Sequence, residues 1–355
     1  MKIIEASNYP IVFEQDRYIE FAIFLQEENY SSFYILVDGH TKEYCLPVFN
    51  AKINLEKNGT VITIPSGEES KNLETCAYVW NELAKFKADR NSILITIGGG
   101  MLTDIGGFIA STFKRGIDFI NIPTSLLGMV DASIGGKTGI DFNGLKNQIG
   151  LFVNPKMVVM DTNYLKTLPK RELISGMAEI IKYGLTYDKN LWTSVKEITN
   201  FTNIDLSELI HRSIEIKNEV VTKDPKEQNL RKILNFGHTI GHAIETYFLQ
   251  SKTKETLTHG EAIAVGLICE TFISVTLYNF PKAELSVLKK YIKTTFGEIN
   301  FTKNDFGAII ELMKHDKKNV NGEIRFVLLT ELEKYKIDCQ VETLLIEKSL
   351  NYYLS

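Results

Sequence analysis

At 355 residues, with 44% hydrophobic and 24% charged residues, the chain is long enough for two domains and has the composition of a soluble globular protein. Its formal net charge of -4 excludes a general electrostatic attraction to nucleic acid or to an anionic membrane. No apolar run approaches the length needed to span a bilayer, and the amino terminus has no signal core. The four cysteines are widely spaced without a Cys-x-x-Cys pair, which predicts reduced, mostly buried thiols in a cytoplasmic protein.

The first half of the chain alternates short apolar runs with helical segments, which predicts a doubly wound parallel sheet. The predicted strands are 33–38, 60–65, 92–97, 119–125 and 157–161. Asp38 closes the first strand, where an acidic side chain often binds a dinucleotide ribose, although a plain turn aspartate is the alternative. Glu68 and Lys71 precede a helix predicted over 73–87, where they meet either a nucleotide or solvent.

Three glycines, Gly98, Gly99 and Gly100, follow the third strand and lead into a helix. Backbone N–H groups approach an anion closely where no Cβ intervenes, and a helix amino terminus adds positive potential. The segment therefore predicts a pyrophosphate cradle, with a tight strand-to-helix turn as the alternative. It departs from G-x-G-x-x-G because Thr103 occupies the last position.

A second glycine-rich run, 135–139, is similar to a P-loop but lacks its spacing, since Asp131 lies six residues before Lys137. A Walker A site is therefore excluded. Lys137, Lys146 and Asn147 are instead predicted to surround a small anionic substrate.

From about residue 169 the apolar periodicity becomes helical, which predicts an α/β domain over 1–168 and a helical domain over 169–355. The predicted helices are 171–183, 206–222, 231–248, 259–278, 282–296 and 305–314. Asn321-Gly322 followed by an apolar run over 325–329 predicts a small late hairpin.

Glu179 and Lys182 lie three residues apart among apolar residues, so both are predicted to be buried. A buried glutamate needs a partner, and either Lys182 or a metal would serve. Lys217 and Arg231 belong to a basic series for which an exposed helix face is the alternative.

Two histidines, His238 and His242, are one helical turn apart on the same face, and a third, His259, opens the sequence His-Gly-Glu-Ala. Two histidines with a glutamate from another helix make a ligand set that suits Zn²⁺ and leaves a position open. Glu179, His238 and His259 are the candidate ligands. Spacing alone equally permits His242, Glu245 or Glu261, and satisfied helix histidines are the alternative to any metal.

Taken together, these residues closely resemble the 3-dehydroquinate synthase family from residue 38 to about residue 329. The resemblance rests on these motifs in this order: Ser-Gly-Glu-Glu-Ser-Lys, Gly-Gly-Gly-x-x-x-Asp, Phe-Lys-Arg-Gly, Pro-Thr-Ser-Leu-Leu, Val-Asp-Ala-Ser-Ile-Gly-Gly-Lys-Thr-Gly, Lys-Asn-Gln-Ile-Gly, Gly-Met-Ala-Glu-Ile-Ile-Lys-Tyr-Gly, Asn-Phe-Gly-His-Thr-x-Gly-His-Ala, His-Gly-Glu-Ala and Asp-Lys-Lys.

The resemblance implies a Rossmann-like NAD-binding α/β domain, an all-α metal-binding domain and an active site between them. It implies conversion of 3-deoxy-D-arabino-heptulosonate 7-phosphate to 3-dehydroquinate and phosphate. This phosphorus–oxygen lyase step belongs to the shikimate pathway to chorismate and the aromatic amino acids. NAD⁺ is consumed and regenerated in each turnover.

The resemblance also implies roles for individual residues. It places the metal, zinc or cobalt in this family, on Glu179, His238 and His259. It places NAD on Asp38, Glu68, Lys71, Gly98, Gly99, Gly100, Asp104, Thr124, Ser125, Thr167 and Glu172, with Lys137 and Lys146 shared between cofactor and substrate. It places substrate on Asp131, Lys137, Asn147, Lys182, Lys217, Arg231, Asn235, His242 and one of Lys317 or Lys318.

Arg115 matches an arginine that reaches the phosphate from the neighbouring subunit, so the resemblance implies a homodimer. Three positions depart from the family pattern: Thr103 replaces a common glycine, Ser125 a usual threonine and Asp141 a frequent asparagine. These departures affect cofactor affinity rather than the reaction.

Three other functions share part of this pattern: another sugar phosphate cyclase, a metal-dependent alcohol dehydrogenase of the glycerol type, and a non-catalytic NAD-binding protein. Gly-Gly-Lys at 135–137 and the pair of His238 and His242 favour the dehydroquinate reaction. A dehydrogenase would form NADH in net amounts. A non-catalytic protein would have no use for costly buried charges.

Overall fold

The computed structural model describes residues 3–6, 8–13, 17–53, 55, 59–202, 204–314 and 324–355. The chain folds into two compact units. Unit 1 comprises Met1–Pro169 with Leu206–Asn218, and unit 2 comprises Lys170–Asp205 with Glu219–Ser355. Lys317, Lys318 and the turn predicted at Asn321-Gly322 lie outside the described residues.

Unit 1 is built on a seven-stranded sheet. The strands of unit 1 are β1 (Ile3–Ala6), β2 (Tyr9–Val12), β3 (Ser32–Asp38), β4 (Gly59–Ile64), β5 (Ser92–Gly98), β6 (Asp118–Pro123), β7 (Lys137–Phe142), β8 (Leu145–Phe152) and β9 (Met157–Val159). The order across the sheet is β1-β2-β9-β6-β5-β3-β4, and only the edge pair β1 and β2 is antiparallel. The parallel sheet predicted from the five apolar runs is thus confirmed. The antiparallel pair of β7 and β8 was not predicted, because most residues of β8 are exposed and the segment lacks the apolar pattern of a buried strand.

The helices of unit 1 cover the sheet. They are α1 (Arg17–Glu28), α2 (Gly39–Tyr44), α3 (Leu46–Lys52), α4 (Leu73–Lys85) and α5 (Gly100–Thr112). α4 begins where the Asn72 side chain accepts the Thr75 N–H at 2.9 Å, which is the usual role of an N-cap asparagine. α5 follows β5 directly and is buried along most of its length. The glycine turn is therefore held at the carboxyl end of the sheet.

Unit 2 is mostly helical. Its elements, together with α8, which starts in unit 1, are α6 (Lys170–Thr186), α7 (Lys189–Lys196), α8 (Ser207–Lys223), α9 (His238–Gln250), α10 (His259–Tyr278), α11 (Lys282–Phe296), α12 (Phe306–Met313), β10 (Phe326–Glu331), β11 (Lys334–Cys339) and α13 (Thr343–Leu354). The predicted late strand is β10, but its described partner β11 follows it instead of preceding it, with Glu333 in a left-handed turn at φ 65°.

The continuous helix predicted over 231–248 is wrong. A 3₁₀ turn covers Leu230–Asn235, and α9 begins only at His238. Gly237 breaks the helix because its φ is +80°, a left-handed conformation that favours glycine. A Cβ there would also lie 2.7 Å from Cδ2 of Leu267 on α10.

α10 runs through the core of unit 2. By length and composition alone, it could cross a membrane. The prediction that no segment approaches that length is therefore wrong for this helix. However, 78% of its apolar window is buried inside the protein, as expected for a core helix.

The close contact between α9 and α10 predicts a large effect of a single methyl group. A Cβ on Gly266 would lie 1.9 Å from the carbonyl oxygen of Gly237, so the helices would have to separate. We expect Gly266→Ala to lower the free energy of unfolding by about 3 kcal/mol or more, despite the better helix propensity of alanine. The matched control is Gly307→Ala on α12, where a Cβ meets nothing within 4 Å. Denaturant unfolding checks both variants, and equal stabilities would contradict the prediction.

Candidate active site

A cluster of imidazole and carboxylate groups in unit 2 brings together the three predicted metal ligands. Glu179 lies in α6, His238 is the first residue of α9, and His259 is the first residue of α10. Oε1 of Glu179 lies 3.3 Å from Nε2 of His238 and 3.6 Å from Nε2 of His259. Two ring nitrogens and one carboxylate oxygen therefore converge on one point.

The same cluster has the features of a cation site. Among the described residues, no hydrogen bond reaches the buried Oε1 of Glu179. Nδ1 of His238 lies 3.0 Å from the carbonyl oxygen of Phe236, and Nδ1 of His259 lies 3.2 Å from Oε2 of Glu245. Both partners accept a hydrogen bond from Nδ1, so each Nε2 faces Glu179, where a bound cation would displace any proton that this nitrogen carries. This donor set fits a divalent metal.

Electrostatics at the cluster keep Glu179 ionised. Burial favours its neutral form, but the Lys182 ammonium and the His238 imidazole hold the pKa of Glu179 well below its usual range. Burial lowers the pKa of His238. Burial also opposes the charged form of His259, but Glu245 and Glu179 outweigh it and raise the pKa of His259 to about 9.

The alternative ligands left open by spacing have different surroundings. His242 borders the cluster, because one of its ring nitrogens lies within 4.8 Å of a ring nitrogen of His238 and of one of His259. Glu245 contacts the Nδ1 side of His259, away from the convergence point. Glu261 caps α10 and pairs with Arg171 at 2.7 Å.

The charged pair Lys182 and Glu179 is fully buried, as the sequence predicted, with side-chain exposures of 1% and 0%. Arg231 is also buried, and its Nη1 donates to the carbonyl oxygen of Pro225 at 2.8 Å. Nδ2 of Asn235 donates to Oε1 of Glu227 at 2.5 Å. Both side chains are thus held by the segment just ahead of the 3₁₀ turn.

In unit 1, Lys71 is the centre of a second polar cluster. Its Nζ lies 2.6 Å from Oδ2 of Asp104 and 2.6 Å from Oδ1 of Asn147. Glu68 lies 3.9 Å from the same ammonium and 2.9 Å from Nζ of Lys146. Burial opposes the charge on Lys71, but the carboxylates of Asp104 and Glu68 outweigh it and raise its pKa. Five residues from three separate segments of the chain therefore form one network.

The glycine turn leads into an uncapped helix end. Gly99 is the N-cap of α5 and has no side chain, so no side-chain cap from that residue occupies the first N–H groups of the helix. A Cβ on Gly99 would lie 3.1 Å from Oγ of Ser125, and one on Gly100 would lie 3.0 Å from Cβ of Ala132. Packing as well as ligand approach therefore favours glycine here. Thr103 bonds the Gly100 carbonyl at 3.0 Å from inside the helix.

The remaining predicted positions in unit 1 have separate surroundings. Lys217 pairs with Oδ1 of Asp131 at 2.8 Å. Asp38 caps α2 by accepting the Thr41 N–H at 2.7 Å, so the turn-aspartate role is present whatever else Asp38 binds. Thr124 is buried beyond β6, Lys137 opens β7, and Thr167 ends a 3₁₀ turn. Arg115 is exposed at φ 73°. In unit 2, Glu172 lies in the first turn of α6.

Comparison with known proteins gives two consecutive family matches. The model described as 3-dehydroquinate synthase N-terminal matches residues 61–175, and the one described as 3-dehydroquinate synthase C-terminal matches 176–319. The chain belongs to the 3-dehydroquinate synthase family. The 3-dehydroquinate synthase of Parabacteroides distasonis is 41% identical over 350 residues, which cover 98% of each chain. That of Pyrococcus abyssi is 42% identical over 288 residues, covering 81% of this chain and 83% of the relative.

Solved structures share the 3-dehydroquinate synthase fold at lower identity. A 2-deoxy-scyllo-inosose synthase complexed with carbaglucose-6-phosphate, NAD⁺ and Co²⁺ has a TM-score of 0.83 at 22% identity, covering 99% of each chain. A 2-epi-5-epi-valiolone synthase from Streptomyces hygroscopicus with NAD⁺ and Zn²⁺ has a TM-score of 0.82 at 23% identity, covering 100% of this chain and 99% of that one. A glycerol dehydrogenase from Schizosaccharomyces pombe has a TM-score of 0.65 at 14% identity, covering 99% of this chain and 90% of that one. These likenesses concern the fold.

In this member of the 3-dehydroquinate synthase family, the site is supported by residues that the sequence motifs did not indicate. Asp141, noted only as a departure from the family pattern, accepts the Asn147 N–H at 2.8 Å and holds Asn147 at φ 53°. Glu270 accepts backbone N–H groups at the start of α9. Its signal in the sequence is a charged residue in the middle of the long apolar helix α10.

Proposed function

We propose that the chain catalyses the 3-dehydroquinate synthase reaction, from 3-deoxy-D-arabino-heptulosonate 7-phosphate to 3-dehydroquinate and phosphate. The steps are oxidation, phosphate elimination, reduction and aldol cyclisation. Family membership over nearly the whole chain supports the reaction. The observation that carries it is the unsatisfied, buried Oε1 of Glu179 facing Nε2 of His238 and Nε2 of His259.

Each unit has a proposed cofactor. Glu179, His238 and His259 in unit 2 would hold a divalent cation, Zn²⁺ or Co²⁺. Unit 1 would bind NAD⁺ at the open end of α5 and the cluster around Lys71. When bound, the cation would lower the pKa of a substrate hydroxyl, and NAD⁺ would take up and return the hydride. The proposed NAD⁺ set in unit 1 is Asp38, Glu68, Lys71, Gly98, Gly99, Gly100, Asp104, Thr124, Ser125, Lys137, Lys146 and Thr167, and Glu172 of unit 2 is added to it.

The other proposed residues bind and orient the substrate. Its carboxylate and phosphate are anions, which suit the guanidinium of Arg231 and the ammonium groups of the lysines. His242, beside the metal cluster, would exchange a proton with a substrate hydroxyl. Fixed positions of these groups would supply much of the catalysis. The proposed substrate set is Arg115, Asp131, Lys137, Lys146, Asn147, Lys182, Lys217, Arg231, Asn235, His242 and one of Lys317 or Lys318.

A homodimer in the cytoplasm is part of the proposal. Arg115 is exposed between two other residues with left-handed backbones, Lys114 and Gly116, so its side chain is available to a second subunit. Leu151 and Phe152 of β8 are exposed apolar residues suited to a subunit interface, at 39% and 60%. The four cysteines are free and buried, which suits a reducing compartment.

A phosphate-release assay tests the proposed reaction. With the heptulosonate phosphate, NAD⁺ and Zn²⁺, we expect release of phosphate without net formation of NADH. A chelator should stop phosphate release, and added Zn²⁺ or Co²⁺ should restore it.

Other outcomes would point to the alternative functions. Phosphate release from glucose 6-phosphate instead of the heptulosonate phosphate would indicate a different sugar phosphate cyclase. Net NADH formation from glycerol would indicate a dehydrogenase. Absence of phosphate release from the heptulosonate phosphate, with the metal bound and NAD⁺ present, would overturn the proposal.

A further inference from the structure

The helices that begin with the two candidate histidine ligands, α9 and α10, each carry a buried glutamate directed at the start of the other helix. Glu245 on α9 places Oε2 3.2 Å from Nδ1 of His259, the first residue of α10. Glu270 on α10 places its two oxygens 2.7 Å from the Gly237 nitrogen and 3.1 Å from the Ile240 nitrogen, at the start of α9. Neither glutamate belongs to the proposed ligand set.

α9 needs a cap from outside its own segment. The N-cap residue of a helix usually supplies a side-chain oxygen to the N–H three positions on. Gly237 has no side chain to offer, and its φ of +80° and the tight contact with Leu267 both disfavour a larger residue. Ile240 is the residue three positions on, and Glu270 accepts its N–H instead. A carboxylate there also faces the positive end of the helix dipole.

α10, by contrast, is capped from its own segment. Thr258 accepts the Glu261 N–H, and the Glu261 side chain accepts the Thr258 N–H, which completes a capping box. The start of α10 therefore does not depend on α9. What α9 supplies is the carboxylate of Glu245, at the ring of His259.

Glu270 acts on His238 through the backbone. Glu270 accepts the N–H groups of Gly237 and Ile240. The Gly237 N–H and the Phe236 carbonyl belong to the same peptide unit, so this bond also fixes the Phe236 carbonyl. The Phe236 carbonyl lies 3.0 Å from Nδ1 of His238, so its position determines which ring nitrogen holds the proton. Nε2 of His238 is then left facing Oε1 of Glu179 at 3.3 Å.

We propose that Glu270 and Glu245 are positioning residues for the metal site. Each sets the orientation and tautomer of the histidine at the start of the opposite helix. Glu270 does so for His238 by capping α9, and Glu245 does so for His259 by direct contact. The proposal rests on the proposed metal site of Glu179, His238 and His259. Outer contacts of this kind commonly change metal affinity by about 10–100-fold.

Metal titration with matched variants tests the proposal. We compare Glu270→Gln, Glu245→Gln and Glu245→Ala with Glu284→Gln, a control on α11 whose carboxylate accepts the Trp192 indole N–H at 3.1 Å. The dissociation constant for Co²⁺ is measured by competition with a chelating dye. The visible spectrum of bound Co²⁺ reports ligand geometry, and thermal unfolding of the metal-free protein reports stability.

The variants should differ in a defined order. The amide introduced by Glu270→Gln has one acceptor oxygen and would present an NH₂ to a backbone donor, so this variant should weaken Co²⁺ binding about 10–100-fold and change the spectrum. Glu245→Gln keeps an acceptor for Nδ1 of His259 and should weaken binding less than Glu245→Ala. Glu284→Gln should match the wild type in both readouts.

The outcomes separate this proposal from the metal site itself. Wild-type Co²⁺ affinity and spectrum in Glu270→Gln and Glu245→Ala would overturn the positioning role and leave the metal site standing, even if thermal stability fell. If the wild type bound no Co²⁺, both the metal site and the positioning role would fail. Should Glu270→Gln not fold, Glu270→Asp, which keeps both acceptor oxygens, and Glu245→Ala decide by the same two readouts.

Discussion

Replacing Glu179 with glutamine is expected to prevent tight metal binding and to slow turnover about 1000-fold or more. The neutral amide is a poor ligand, and a bound metal contributes several kcal/mol of transition-state stabilisation in reactions of this type. Each 1.36 kcal/mol corresponds to a factor of ten in rate, so a loss of about 4 kcal/mol gives about 1000-fold. Phosphate release and the Co²⁺ dissociation constant are the measurements.

The same substitution should destabilise the metal-free protein. Glu179 and Lys182 form a buried pair with side-chain exposures of 0% and 1%, and the variant leaves the Lys182 ammonium without that carboxylate. Removing one member of a buried ion pair typically costs about 3–5 kcal/mol. Denaturant unfolding in the presence of chelator measures this difference.

A matched control exists on the surface of unit 2. Glu311 near the end of α12 pairs at 2.6 Å with Lys314, the residue just after the helix, at the same three-residue spacing, but their side chains are 61% and 51% exposed. Glu311→Gln should change stability by less than about 0.5 kcal/mol and leave Co²⁺ binding intact. Wild-type Co²⁺ affinity in Glu179→Gln would remove Glu179 from the ligand set.

The strands and most helices could be predicted because their signals are local. The apolar runs that became β3, β5 and β6 are continuous, as expected for strands buried on both faces, and α10 and α11 have their predicted ends. The break at Gly237 was missed because the apolar periodicity continues across it. The packing that excludes a side chain there involves Leu267, thirty residues away in sequence.

The candidate site could be predicted in its charged residues but not in its support. Glu179, His238 and His259 stand in recognisable motifs, so their sequence neighbours indicated them. Glu270 and Asp141 act by accepting backbone N–H groups of other segments. Such bonds depend on which backbone lies opposite, and neither periodicity nor spacing contains that information.

Replacing Lys71 with methionine should both destabilise unit 1 and weaken NAD⁺ binding. Lys71 is only 3% exposed and is bonded to Asp104 and Asn147 at 2.6 Å each, so the variant leaves a carboxylate without its cation. We expect the free energy of unfolding to fall by about 3–5 kcal/mol. Loss of a charge-assisted contact in the proposed cofactor site should raise the dissociation constant of NAD⁺ about tenfold or more.

The pH dependence of the Lys71 effect follows from the raised pKa of its ammonium. Because its folded-state pKa lies above the usual 10.5, the stabilisation is fully present at neutral pH and is lost only as pH rises through the raised value. The stability difference between wild type and Lys71→Met should therefore be constant from about pH 7 to about pH 9. It should narrow in acid as Asp104 takes up a proton, because burial raises the pKa of that carboxyl group.

The control for Lys71→Met is Lys85→Met on α4. Lys85 pairs at 3.1 Å with Glu82, which lies three residues before it, and Glu68 lies at the same spacing before Lys71. The Lys85 side chain, however, is 65% exposed. Lys85→Met should change stability by less than about 0.5 kcal/mol and leave NAD⁺ affinity at the wild-type value. If Lys71→Met lost stability but bound NAD⁺ as tightly as the wild type, the cluster would organise unit 1 without contacting the cofactor. The network of Lys71, Asp104 and Asn147 would then belong to the fold, and the open end of α5 would have to hold the pyrophosphate through its backbone N–H groups.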